Sequence, residues 1–426
     1  MTPGAEFGVW ETTAPPPRRW PTLEGPLAAD IAIIGAGYTG LATALHLAES
    51  GHRPVVLEAR EPGWGASGRN TGWLEPNWWL KRPSEIDAMF GRERGAALTR
   101  WVASGPQLLQ RWIERHRLDV PIDNRGLLMA TDQPAKAAAL AAEAVEWQRT
   151  GVANEYVDAT ALERYIPTRR YRGAMLLRDG LTLNPLALSR ELARAAADTG
   201  ALIFANTRVD TIERTADRWQ LSTPAGRVTA RRLVLATDAY TRTLWPELSR
   251  SFATWHLAIV ASEPYADLGQ LMPRGPAFGD LGLANIFTLR RAAGRLVTST
   301  FAPLRRGLRA SAVAAPFARK FARVFPHLPA PRWEFHHYGE IGISRDMMVR
   351  LCSIGPDAWT VYGYSGTGMN LALLLGGQLA ALATSAPRTP EFPLTPFAPL
   401  AARSAVSCGL RFVHAPLARH VVSHFA

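Results

Sequence analysis

The chain has 426 residues, 47% apolar and 20% charged, with a formal net charge of +12 carried mostly by arginines scattered among acids. That length exceeds one ordinary core and suits two interleaved domains, while the charge forms none of the basic runs, zinc-ligand spacings or aromatic motifs of a nucleic-acid binder. No apolar run reaches the roughly 18 residues that span a bilayer, Met1 to Glu6 has no signal-peptide pattern, and Cys352 and Cys408 are too few for a disulfide framework or metal cluster, so a cytoplasmic enzyme is expected.

Residues 1–29 form a proline-rich arm (Pro15, Pro16, Pro17, Pro21, Pro26), expected to be held down over the nucleotide domain by Trp10 and Trp20. Asp30 to Ile34 then runs as a buried strand into Gly35-Ala36-Gly37-Tyr38-Thr39-Gly40, followed by a helix with Leu41, Ala44, Leu45, Leu47 and Ala48 on its apolar face. In this G-x-G-x-x-G turn, Gly35 makes the bend, Gly37 lets backbone approach a pyrophosphate, and Gly40 lets helix pack on strand. Free N–H groups and the positive dipole end at the helix start favour the phosphates. A second strand, Pro54 to Leu57, ends in Glu58, at the spacing of about 20 residues from which an acid grips a ribose 2′-OH. The unphosphorylated ribose this implies favours FAD or NAD over NADP.

Glu58-Ala59-Arg60 leads into Gly63-Trp64-Gly65-Ala66-Ser67-Gly68-Arg69-Asn70-Thr71-Gly72-Trp73. Over Gly65 to Asn70 this loop resembles the FAD-dependent amine and amino-acid oxidoreductases of the D-amino-acid-oxidase superfamily, in the branch typified by gamma-glutamylputrescine oxidoreductase. Thr71 and Trp73 depart from that pattern. The resemblance implies that FAD is the cofactor and that the loop holds its pyrophosphate and ribityl chain.

Further along, Ser84 to His116 reads as two helices, Val120 to Ala130 as a strand, and Ala135 to Arg149 as an alanine-rich helix. Ala174 to Leu177 is a strand with a turn at Asp179-Gly180, and Asn184-Pro185 opens a helix over Leu186 to Thr199. Strands are expected over Ala201–Ala205, Arg208–Glu213, Arg218–Thr223 and Leu233–Thr237. The resemblance places Val209, Ala236 and Thr237 beside the adenine and pyrophosphate. Strand-like runs at Leu257–Ala261, Asn285–Leu289 and Leu296–Ser299 and a helix over Ala314–Phe325 complete a substrate domain. Trp359 to Gly363 is a strand, Tyr364 to Gly368 a glycine-rich turn, and Met369 to Thr384 a helix. By resemblance Gly363, Ser365, Gly366, Thr367, Gly368 and Met369 lie against the flavin.

The expected fold is therefore α/β (α+β): a Rossmann-like FAD-binding domain of glutathione-reductase type interleaved with an antiparallel-sheet substrate domain. FAD-binding segments are assigned to residues 1–84, 184–244 and 336–400, substrate segments to 85–183 and 245–335, and a basic tail to 401–426.

Only one complete dinucleotide fingerprint is present, so electrons are expected to enter the flavin from substrate rather than from NADPH. The implied activity is hydride transfer from the carbon next to nitrogen, giving an imine that water hydrolyses, with O2 or an electron-transfer partner as final acceptor. On the substrate side the candidates are Trp73 with Trp78 and Trp79, whose faces suit an ammonium; His337 or its neighbour His336; and Arg290, as an anion holder. Cys352 is read as a buried filler, with covalent flavin attachment as the alternative. A flavin monooxygenase would carry a G-D-x-x-H segment, which Gly279-Asp280-Leu281-Gly282-Leu283 does not fit. An inert nucleotide-binding scaffold would explain neither the flavin loop nor the second glycine turn.

Overall fold

The structure, a computed structural model, describes residues 6–78, 81–280, 287–303, 307–388 and 391–400. Trp79, Asn285, Cys408 and the basic tail lie outside the described residues.

The first layer grows from β1 (Gly25–Ile34), whose last four residues are buried. A strand apolar on both faces needs parallel neighbours and cover above and below. β1 pairs in parallel with β2 (Val55–Leu57) on one side and with Gly226–Leu235 on the other. Ile31 and Ile33 face the helix side of the core, where α1 (Tyr38–Glu49) packs with Gly368–Thr384 and Pro185–Asp198. Ala32 and Ile34 face the opposite cluster, with Trp219, Phe252 and Tyr362. Ala358–Tyr362, Arg350–Gly355 and Leu202–Phe204 extend the sheet, and the hairpin Thr211–Thr215/Arg218–Ser222 attaches to Gly226–Leu235, giving eight strands among the described residues.

The second layer is a nine-stranded, mostly antiparallel sheet among the described residues, running from Trp333–Ile343 through Ala253–Pro264 to Ile122–Thr131, Gly173–Leu183 and β3 (Trp73–Leu74). Its far face is covered by Ala310–Val324, with Phe317 and Phe321 in the core. The expected boundary at residue 336 falls inside Trp333–Ile343, which pairs with Ala253–Pro264 in this sheet. β3 likewise pairs here, with Gly173–Leu183.

Local differences from the sequence reading have local causes. Ser84 to His116 folds as three helices, Pro83–Phe90, Arg92–Ala103 and Gly105–His116, because Gly91 at φ 83° and the Gly105-Pro106 pair interrupt the periodicity. The expected turn at Asp179-Gly180 is a bulge within Gly173–Leu183: the partners of Arg125 and Leu127 are Leu181 and Leu177, so Arg178 to Gly180 project from the pairing. The N-terminal arm does not lie over the nucleotide domain alone. Trp10 is fully buried beside Leu186 of the nucleotide layer and Ile259 and Val297 of the antiparallel sheet, wedging the two together.

Arg290 sits at the same junction. It is fully buried, donates to the carbonyls of Thr71 (2.6 Å) and Leu183 (2.7 Å), pairs with Asp123, and lies 4.9 Å from the Trp10 ring centroid. Burial lowers its pKa to about 10, so it remains charged at neutral pH. One guanidinium thus joins the flavin-loop region, the start of the helix at Pro185 and the second sheet. Arg290→Met leaves these partners unsatisfied and is expected to destabilise the fold by about 3–5 kcal/mol, read as a lowered midpoint in urea unfolding; an unchanged midpoint would contradict this structural role.

Candidate functional site

A cavity of about 750 Å³ opens where the carboxyl ends of the parallel strands face the antiparallel sheet, the place where open α/β sheets bind ligands. At one end Glu58 Oε2 accepts a hydrogen bond from the Ala36 N–H (2.8 Å) and Oε1 accepts from the Arg60 N–H (2.9 Å). These bonds fix the carboxylate at the end of β2, although burial pushes its pKa up. Ala59, Arg60 and Val209 line this end with it.

The middle is the glycine turn. Gly35 has φ 102°, open to glycine but strained for other residues. A Cβ on Gly40 would sit 1.9 Å from the Gly35 carbonyl oxygen, and one on Gly37 would sit 2.9 Å from Ser67 Oγ. Ser67 Oγ accepts from the Tyr38 N–H at 2.9 Å, docking the flavin loop onto the start of α1 and taking the first of its free N–H groups. Asn70 braces that loop: its amide donates to the Ser67 carbonyl (2.7 Å) and the Ala66 carbonyl (3.1 Å), and its Oδ1 accepts from the Gly72 N–H (2.7 Å). Gly65, Ala66, Ser67, Asn70 and Thr71 all line the cavity, as do Gly35, Gly37, Tyr38, Thr39, Ala236 and Thr237.

At the other end the antiparallel sheet supplies Trp73, Thr288 and Ile341, and the second glycine turn supplies Tyr364, Gly366, Gly368 and Met369. Gly366 has φ 113°, and the helix Gly368–Thr384 begins there without a side-chain cap, leaving first-turn N–H groups free. Thr39 Oγ1 and Tyr364 OH are 2.6 Å apart, tying the two turns together.

Six expected cofactor residues shape the walls rather than line the cavity. Gly40 allows the close packing just described, and Gly72 (φ 72°) lies against Arg290 and the Leu183 carbonyl. Arg69 pairs with Glu6 at 2.7 Å and stacks over Trp64, anchoring the arm. The Gly363 N–H donates to Asp238 Oδ1 at 2.9 Å, Ser365 Oγ donates to the Gly363 carbonyl at 2.9 Å, and Thr367 Oγ1 donates to the Tyr364 carbonyl at 3.0 Å.

The expected substrate-side residues separate. Trp73 lines the cavity with its indole N–H unpartnered, whereas Trp78 is buried against Trp101. His337 does not line the cavity: it is buried, its Nε2 is 3.1 Å from the Arg69 carbonyl oxygen, and burial lowers its pKa to about 3. The neutral ring therefore braces the flavin loop by donating to that carbonyl. His336 packs against Tyr338. Arg290 is shut away in the junction with its partners. Cys352 is fully buried in the sheet, away from the cavity, with its thiol pKa raised to about 11 by burial.

Asp238, Thr288 and Glu75 line the cavity without having been singled out from sequence. Asp238 carried a signal, since it lies three residues past the strand ending at Leu235, on the ligand-binding edge. Glu75 carried none.

The cradle fits FAD. A side chain at Gly37 would occupy the space a pyrophosphate needs, Glu58 is held where a ribose hydroxyl can reach it, and two helix starts whose N-cap residues supply no side-chain cap face one cavity. Consistently, residues 30–382 match the family described as FAD dependent oxidoreductase (DAO). Gamma-glutamylputrescine oxidoreductase of Escherichia coli is 28% identical over 366 residues, 85% of each chain, and a glycine oxidase of Geobacillus kaustophilus is 25% identical over 229 residues, 53% of this chain and 59% of that one. The crystal structure of Geobacillus kaustophilus glycine oxidase superposes with a TM-score of 0.73 at 21% identity, covering 87% of this chain and 98% of that chain. That of L-proline dehydrogenase from P. horikoshii gives 0.71 at 17%, covering 86% and 96%; both share the fold.

Two substitutions separate cradle from cavity. Gly37→Val is expected to abolish FAD binding and Glu58→Ala only to weaken it, measured as flavin released by acid from purified protein. At Gly368 an added Cβ meets only ordinary contacts within the protein, 3.6 Å from that of Tyr364, which makes Gly368→Val a usable probe. It should fold normally yet lose FAD or lower its reduction potential, whereas full FAD content and an unchanged potential would show that this turn does not touch the flavin.

Proposed function

The chain belongs to the FAD-dependent oxidoreductases of the D-amino-acid-oxidase family, and from that membership we propose that it oxidises the C–N bond of an amine or amino acid with electrons taken directly from the substrate. The observation that carries this reading is the convergence of two glycine turns, at Gly35 to Gly40 and at Gly366 to Gly368, on one cavity whose far end is closed by the antiparallel sheet. Such a cavity gives a dinucleotide one end and a small substrate the other. The names of the relatives, gamma-glutamylputrescine oxidoreductase and glycine oxidase, support an amine or amino acid as that substrate.

When bound, FAD would supply the redox chemistry, as the acceptor of the hydride lost from the carbon that bears nitrogen, which would leave an imine for water to hydrolyse. The protein's own residues bind, orient and stabilise. Glu58 holds the ribose, and the start of α1 with Ser67 and Ala66 holds the pyrophosphate. Trp73, Ile341 and Tyr364 make the substrate end apolar and aromatic, which excludes water and lets an uncharged amine sit against the ring. The uncapped start of Gly368–Thr384 directs free N–H groups and its positive dipole end toward negative charge arising there, worth about 0.3–2 kcal/mol for the dipole. O2 or an electron-transfer partner takes the electrons on.

Anaerobic mixing of the yellow protein with a panel of amines and amino acids should bleach the flavin without any nicotinamide. Bleaching by NADPH alone, with every amine and amino acid inert, would overturn this reading in favour of a monooxygenase.

A further inference from the structure

The substrate end of the cavity holds one carboxylate without a partner. Glu75 follows β3, is half-buried and lines the cavity. Among the described residues it makes no hydrogen bond and no ion pair. Burial raises its pKa to about 7, with no neighbouring charge acting on it in either direction. A half-buried acid left unpaired is unfavourable to the folded protein, and such groups concentrate at functional sites. The other charged groups on the cavity wall are differently placed. Arg208 pairs with Asp210 at 2.7 Å and Arg242 with Glu340 at 2.7 Å, Arg60 stands at the Glu58 end with its guanidinium 5.6 Å from the Trp64 ring centroid, and Asp238 accepts the Gly363 N–H. Arg290, the arginine best placed in sequence to hold a substrate carboxylate, is consumed by Asp123 and two carbonyls.

The substrate end therefore has a free anion and an aromatic wall at Trp73, with no free cation among the described residues. A cation–π surface beside a carboxylate suits an alkylammonium, whereas an amino-acid carboxylate would meet like charge and no counter-ion. We propose that Glu75 receives an ammonium group of the substrate other than the reacting nitrogen, making this a site for amines that carry a second, cationic nitrogen and bear no carboxylate on the reacting carbon. The inference rests on the reading that this end of the cavity is where the amine is oxidised.

The test uses a probe that binds without reacting. tert-Butylamine has no hydrogen on the carbon bearing nitrogen and so cannot be oxidised by hydride loss, and as an alkylammonium of pKa near that of lysine, about 10.4, it stays charged from pH 6 to 8. Its binding to the FAD-loaded protein is read from the flavin absorbance difference spectrum, alongside tert-butanol as neutral isostere and pivalate as anion. Because Glu75 becomes charged as pH rises through about 7, affinity for tert-butylammonium should rise roughly tenfold between pH 6 and 8, while tert-butanol shows no such change and pivalate binds weakly. Glu75→Gln, checked for unchanged FAD content, should lose the cation at least tenfold, abolish the pH dependence and bind pivalate better than the parent does. A pH-independent cation affinity in the unaltered protein, tighter pivalate than cation binding there, or a Glu75→Gln protein that binds the cation normally would each overturn the assignment. These readouts need no turnover, so they stand apart from the case in which no amine or amino acid reduces the flavin.

Discussion

A carbonyl oxygen and two missing methyl groups set the geometry on which the cavity depends. The Gly35 carbonyl lies so close to Gly40 that a Cβ there would be 1.9 Å away, and on the other flank of α1 a Cβ on Gly376 would meet Ala42 Cβ at 2.5 Å and the Thr43 nitrogen at 2.8 Å. These contacts press α1 between the strand turn and the helix Gly368–Thr384, so that the two helices start at the same cavity. Their N–H groups and dipoles then act on one ligand rather than two. The Thr39–Tyr364 hydroxyl contact at 2.6 Å sits where the starts of the helices meet.

The antiparallel layer meets this cradle through an apolar cluster that runs from α1 and Gly368–Thr384 to Leu127, Leu177 and Leu183, and buried polar contacts lock the junction. Arg290 spans Thr71, Leu183 and Asp123, His337 reaches the Arg69 carbonyl, and Trp10 fills the seam. A group committed in this way positions the flavin loop and the substrate-facing strands relative to each other. It also leaves the cavity with little positive charge at its substrate end, and this is what makes the unpaired Glu75 significant.

The nucleotide half of the protein was largely legible in the sequence because its constraints are written in residue types. A run of apolar residues, glycines at fixed offsets and an acid at the end of β2 each answer to a steric or electrostatic demand of the ligand. The branching order of the antiparallel sheet was less legible, since short alternating runs give period but not partner; the strand Trp333–Ile343 was accordingly divided at residue 336 between the two domains. Substrate-side roles failed to show for a further reason. Sequence identifies a histidine or an arginine but not what already occupies it: His337 Nε2 is committed to the Arg69 carbonyl, and Arg290 to two carbonyls and Asp123. Glu75 is the converse case: a lone acid after a glycine loop reads as surface, and only its burial without a partner marks it.

On the proposed reading, one cavity binds FAD in one orientation, with a small cationic substrate at the end lined by Trp73 and Ile341. A crystal structure of the FAD-loaded protein with tert-butylammonium tests this most directly. Adenosine ribose is expected at Glu58, pyrophosphate over Gly37 and Ser67, the flavin ring between Trp73, Ile341 and Gly366, and the ammonium within hydrogen-bonding reach of Glu75. A flavin bound in the reverse direction, or ligand density confined to the separate cleft lined by Pro16, Arg190 and Arg194, would contradict it.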